Sequence, residues 1–139
     1  MKYVKLLRAS ILAVILSLSA MAMATIPALA AEGVDVDPEE GEIGDRVEVT
    51  GDGFATNRDV SIYFSSEEAE AGDDVDDFSV YENWSTSTDE DGDLSRYIYI
   101  PSTLDDGDDE EDVQGGTYYF FVTYYDSDDI EAATEFRVL

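Results

Sequence analysis

Residues 37–54 run Asp37-Pro38-Glu39-Glu40-Gly41-Glu42-Ile43-Gly44-Asp45-Arg46-Val47-Glu48-Val49-Thr50-Gly51-Asp52-Gly53-Phe54, and they limit the choice of fold more tightly than any other stretch. Pro38, Gly41 and Gly44 punctuate a turn. Val47 and Val49 then alternate with Glu48 and Thr50, the period-2 pattern of a strand with one dry and one wet face. Gly51-Asp52-Gly53-Phe54 ends the alternation. A punctuated turn feeding a half-buried strand that stops at glycine predicts the opening of a β-sandwich.

Six further segments fit that prediction, which calls for about seven antiparallel strands. Strand A is expected over 33–37, B over 46–51 and C over 59–65, where Val60, Ile62 and Phe64 face inward and Ser61 and Tyr63 outward. A polar, acidic connection over 66–77 leads to strand D over 78–84. Asp89-Glu90-Asp91-Gly92-Asp93 reads as a tight turn whose glycine supplies a positive φ. Strand E is expected over 94–100, ended by Pro101, which has no N–H to donate to a ladder. Gly115-Gly116 precedes F over 117–125, and G covers 131–139. No stretch after residue 30 has helical periodicity. Arg96 is out of pattern, standing where an inward apolar residue belongs between Leu94 and Ile98. A bulge at Arg96 or a shifted parity near the start of strand E would accommodate it.

These motifs together resemble the immunoglobulin-like IPT/TIG-type domains of exported bacterial and archaeal proteins. The segments that carry the resemblance are Pro38…Gly41…Gly44…Val47-x-Val49-x-Gly51-x-Gly53-Phe54, Val60-x-Ile62-x-Phe64, Asp91-Gly92-x-Leu94…Ile98-x-Ile100-Pro101, Gly116-Thr117-Tyr118 and Phe136-x-Val138. The resemblance implies an immunoglobulin-like sandwich serving as a binding, spacer or structural module. It implies no particular activity, because one fold carries many functions.

The first thirty residues read as a secretory signal peptide. Lys2, Lys5 and Arg8 make a basic start, an apolar core runs over 11–18, and Ala28-Leu29-Ala30 is a small-x-small site cut before Ala31. A single exported domain over 31–139 is therefore expected, secreted or in the cell envelope. An uncleaved leader acting as an anchor is the alternative, although the apolar run is short of the ~20 residues of a membrane span. The absence of cysteine removes lipoprotein attachment and disulfides. No basic, apolar or sorting-type tail follows the last expected strand, so no surface anchor is expected there.

Charge narrows the partners. The chain has 34 acidic and 7 basic residues and no histidine. Three of the basic residues lie in the leader, so the domain sets four arginines against 34 acids, a net charge of −30. Nucleic acid and anionic lipid are unsuitable partners for such a surface, because binding there depends on Lys and Arg neutralising phosphates. The acids fit either a hydrated shell suited to salty surroundings or a divalent-cation site. Calcium needs six to eight oxygens converging on one point. The densest run, 105–112, is expected to be disordered unless an ion or partner collects its carboxylates. Asp105, Asp106, Asp108 and Asp109 are the candidate calcium ligands, with help from the acids of 73–77, Asp73 and Asp74 first among them. No other cofactor is expected. The strand order puts the A–B, C–D and E–F connections at one end of the sandwich and the remaining acids at the other. Asp89-x-Asp91-x-Asp93 matches the first carboxylates of an EF-hand loop, but Leu94 and Ile100 stand where its Gly and bidentate Glu belong, so a hairpin turn is the better reading.

Without histidine or cysteine there is no imidazole base, thiolate nucleophile or ordinary zinc site. The acids lie in turns, where solvent keeps them ionised, rather than across a cleft, so no enzyme activity is expected. Aromatic residues suggest a surface instead. If Tyr118, Phe120, Val122 and Tyr124 face inward, then Tyr119, Phe121 and Tyr125 line up with Tyr63 on the outside of the C-F-G sheet. That stripe reads as a protein-partner or glycan face, or else as β-propensity with cross-strand aromatic pairing or as a face covered by the segment from Ser66 to Trp84. Tyr97 and Tyr99 face outward on the other sheet. Asn83-Trp84-Ser85 matches the N-glycosylation pattern at Asn83, and Trp84 reads equally as a core or edge anchor.

Overall fold

The computed structural model describes residues 32–139. The expected signal peptide and its cleavage site lie outside the described residues.

The described residues form an all-β sandwich. The seven long strands are β1 (Gly33–Asp37), β3 (Arg46–Asp52), β4 (Asp59–Ser65), β5 (Glu82–Ser87), β6 (Leu94–Tyr99), β9 (Gly116–Tyr124) and β10 (Ala132–Val138). Three short ones bring the total among the described residues to ten: β2 (Glu40–Gly41), β7 (Thr103–Asp105) and β8 (Glu110–Asp112). One sheet has the order β1-β3-β6 and the other β2-β10-β9-β4-β5, with β7-β8 as a separate hairpin. The long strands pair antiparallel throughout, whereas β2 pairs parallel with β10 through Arg137 opposite Glu40 and Val138 opposite Gly41. A two-residue strand is too short to leave a periodic pattern in the sequence.

The two sheets meet over one core. Val34, Val36, Val47, Val49, Leu94 and Ile98 from the three-stranded sheet pack against Val60, Ile62, Phe64, Phe120, Val122 and Phe136 from the five-stranded one. Phe64 sits at its centre, with ring centroids 4.7 Å from Phe120, 4.9 Å from Tyr118 and 6.3 Å from Phe136. Burying each such side chain contributes roughly 1.5–3 kcal/mol. The expected inward residues of strands B and C are therefore in the core.

Four local expectations are corrected. Strand D begins at Glu82 rather than Phe78, because residues 66–81 leave the sheet edge and fold over its outer face. Strand E holds no bulge: β3 and β6 keep an unbroken register from Arg46 opposite Tyr99 to Gly51 opposite Leu94. Arg96 does point to the core side, but β6 is an edge strand, and the Arg96 guanidinium reaches out of the sandwich to the carbonyl of Ser85 on β5. An inward charge on an edge strand also discourages edge-to-edge pairing with another chain. The acidic run 105–112 is ordered as the β7-β8 hairpin, pinned by fully buried Leu104 and by Val113.

The loops are also not sorted onto two ends as expected. The segment after β4 crosses the outer face and joins the β9–β10 connection. Gly72 N–H donates to the Ile130 carbonyl at 2.8 Å, Ile130 N–H to the Asp73 carbonyl at 2.8 Å, and Val75 N–H to the Asp128 carbonyl at 2.9 Å. A short 3-10 turn, Val75–Asp77, follows, capped by the Asp74 carboxylate. Burial of Ala69, Val75 and Phe78 against the sheet draws the segment there.

Candidate functional site

The predicted tyrosine stripe is not one open face. Phe121 is fully buried beneath the crossing segment, in a second hydrophobic cluster with Ala69, Val75 and Ile130. Tyr63 stacks on it at 5.1 Å with the rings 7° from parallel, and Phe78 lies on it at 4.8 Å. Tyr81 closes the edge of Tyr63 at 5.0 Å. Tyr63 and Tyr119 are half-buried at the margin of this cluster. Burial holds the Tyr119 and Tyr81 hydroxyls above the usual tyrosine range, and neighbouring carboxylates add to it. Only Tyr125, just past the end of β9, is freely exposed, at 75%. Cover by the segment after strand C is thus the arrangement found.

The open aromatic surface lies on the other sheet. The outer face of β1-β3-β6 presents Asp35 and Asp37, then Arg46, Glu48 and Thr50, then Ser95, Tyr97 and Tyr99. Tyr97 is 57% exposed and Tyr99 66%. Alternation on a regular strand puts the two rings on one side, roughly 6.7 Å apart along the strand. Cross-strand register sets Arg46 opposite Tyr99 and Glu48 opposite Tyr97. The Arg46 guanidinium lies 4.6 Å from the centre of the Tyr97 ring, a cation–π contact. Ser95 Oγ donates to Glu48 Oε2 at 3.0 Å, tying the strands together on this face.

The carboxylates converge elsewhere than expected. Asp105 accepts from the Gly107 N–H at 2.9 Å, and Asp106 accepts from the Asp108 and Asp109 N–H groups at 2.9 and 2.7 Å. These bonds to Asp109 and Asp108 hold the Asp106 carboxyl below the usual range, and all of them serve the hairpin turn. Among the described residues, the carboxylates close enough to share an ion are Asp74, Asp76 and Asp128 in one group and Asp89, Asp91 and Asp93 in the other, each within 4.8 Å. Of the predicted ligands, Asp74 and, from the helping stretch 73–77, Asp76 belong to such a group. Asp128 was missed because the crossing of the 66–81 segment leaves no signal in the sequence. The Asp128 carboxylate, and after it burial and Asp74, hold Asp76 above the usual range. In the second group, Asp89 accepts from the N–H groups of Asp91 and Asp93, both at 2.9 Å, so it builds the hairpin turn the sequence suggests.

One acid is perturbed far more. Glu32 is pushed up to about 7, first by burial and then by the neighbouring Glu131 carboxylate. Its Oε2 is buried without a partner, while Oε1 accepts from the Tyr124 hydroxyl at 3.3 Å. Tyr124 in turn accepts from the Ala55 N–H at 2.8 Å and carries Arg58 over its ring at 4.3 Å. Asn83 is exposed on edge strand β5, and Trp84 beside it turns inward onto the core.

No protein-family model matches the chain, and no curated protein matches it by sequence. Among solved structures it is similar to macromomycin, at 14% identity and a TM-score of 0.51, with 78% of this chain and 97% of that chain covered. Two weaker likenesses are to a β-glucosidase from Listeria innocua (16% identity, TM-score 0.40, 77% of this chain and 16% of that one) and to the sporulation control protein Spo0M of Bacillus subtilis (13%, 0.34, 79% and 49%). At these identities the likeness to macromomycin concerns fold alone, and it agrees with the all-β sandwich described above.

Proposed function

We propose that the chain is an exported, non-catalytic immunoglobulin-like module of the IPT/TIG type that binds a partner in the cell envelope or outside the cell. The observation that carries this reading is the contrast between the two sheet faces. One is sealed by residues 66–81 over Phe121, whereas the other leaves Tyr97 and Tyr99 more than half exposed on a regular sheet. Large aromatic side chains left in water on a flat surface cost hydration free energy, and they recur where a partner covers them. The partner is a protein or a glycan. The net charge argues against nucleic acid and anionic membrane.

The test is retention of the full chain in the envelope fraction of its host. Tyr97→Ser with Tyr99→Ser should release it, while Tyr125→Ser, which removes a still more exposed ring elsewhere, should not. Unchanged retention of a double variant that still melts normally would count against the proposal.

A second reading, a calcium-stabilised spacer, is favoured by one observation, the convergence of Asp74, Asp76 and Asp128 from two connections. An ion there would tie the crossing segment to the β9–β10 connection and relieve the repulsion that raises Asp76.

A further inference from the structure

We infer that the occupant of the Tyr97/Tyr99 face is a cationic polypeptide segment, whose arginine or lysine lies over the Tyr99 ring as Arg46 lies over Tyr97. This rests on the reading of that face as the binding surface. The molecule already contains half of the contact: Arg46 sits 4.6 Å above the Tyr97 ring centre, so a ring on this face takes a guanidinium from within the chain. Tyr99 is the same group two residues along the same strand, more exposed than Tyr97, and opposite Arg46 in register. A guanidinium or ammonium over it gains from the negative π-face.

Charge points the same way. Glu48 stands opposite Tyr97, Asp35 and Asp37 lie on the same face one strand further away, on β1, and Arg46 offsets one of these charges, so the face is net negative within a domain of net charge −30. A cationic segment would be steered to it and held there by carboxylates that accept charge-assisted hydrogen bonds. A neutral sugar could stack on the rings but would gain nothing from that field, and a sulfated or phosphorylated ligand would be repelled. The mode of approach is also constrained. Arg96 is turned inward on edge strand β6 and bonded to Ser85, which opposes addition of a strand at that edge. Recognition is therefore over the face, with one basic residue of an extended segment on the Tyr99 ring while Arg46 stays over Tyr97.

The test uses the full chain and three fluorescent peptides of one length, carrying arginine, lysine or neutral citrulline at alternate positions, beside a neutral β-linked glucan oligosaccharide. The arginine peptide should bind, the lysine peptide more weakly, and the citrulline peptide and the oligosaccharide should not. Tyr99→Ser should weaken the arginine peptide about threefold to fivefold, with Tyr99→Phe and Tyr125→Ser close to the unmodified chain. Equal binding by Tyr99→Ser would reduce the interaction to bulk charge and overturn the inference. Binding of the oligosaccharide in place of the peptide, or of nothing at all, would overturn it too. If the double tyrosine variant is released from the envelope while the peptides fail to bind, the open-face reading stands and only the choice of partner is wrong.

Discussion

Gly92 has no room for a side chain. A Cβ there would lie 2.2 Å from the Phe54 carbonyl oxygen, and its φ of +80° is one that only glycine adopts cheaply. The two Gly-containing turns at 51–54 and 89–93 are thus one contact: Phe54 N–H donates to the Gly92 carbonyl at 3.2 Å. Each turn was legible as a turn, but their meeting was not, since it depends on which strands become neighbours. Glu32 makes stability depend on pH. Its folded carboxyl holds a proton up to about 7, against 4.5 ordinarily, so the folded state binds more protons than the unfolded state across that window. The resulting stabilisation is complete below about pH 4.5 and is lost as pH rises through about 7. Glu32→Gln should flatten the fall in melting temperature between about pH 5 and about pH 8, and the variant should melt higher than the unmodified chain at the alkaline end. Parallel melting curves for the two chains across that range would show that Glu32 is not buried against Glu131.

At the scale of elements, sequence and structure agree best where a strand has one wet face. Strands A and B are of that kind, and their alternation located β1 and β3 closely; the alternation of strand C located β4 as well, although Ser61 and Ser65 on its outer side are buried. Strand β9 is different, because Phe120, Phe121, Val122 and Thr123 are all buried. A continuous apolar run marks a strand covered on both sides. Alternate outward placement of Phe121 was correct, but the run also signalled that something lies on that face. Cover by the segment after strand C was open as a reading of the tyrosine stripe, but its path was not legible, because residues 66–81 are polar and irregular, with Ala69, Val75 and Phe78 spaced by no period. The β7-β8 hairpin was hidden for a related reason, since a single buried Leu104 orders an otherwise acidic run. Phe121→Ala should cost roughly 3–5 kcal/mol in urea denaturation, as for a large core side chain, and should open residues 66–81 to protease. A surface-sized loss below about 0.5 kcal/mol would mean the segment does not cover the sheet.

For the whole molecule, charge decides behaviour more than any single contact. Thirty-four acids on one small domain repel one another, and screening strengthens from a Debye length of ~10 Å at 0.1 M salt to ~3 Å at 1 M. Sodium chloride should therefore raise the melting temperature broadly. The calcium reading adds a specific increment: millimolar Ca²⁺ should exceed Na⁺ and Mg²⁺ at matched ionic strength, and Asp76→Asn should abolish the excess. Equal shifts with all three ions would leave only screening. The two sheet faces, one sealed and one open, are the remaining whole-molecule feature, and the proposed function depends on them. Hydroxyl-radical footprinting of the full chain, read by mass spectrometry, compares them in one measurement. Tyr97, Tyr99 and Tyr125 should be oxidised rapidly and Phe121 protected until the chain unfolds; oxidation of Phe121 as fast as Tyr99 would contradict the assignment of the open face to the three-stranded sheet.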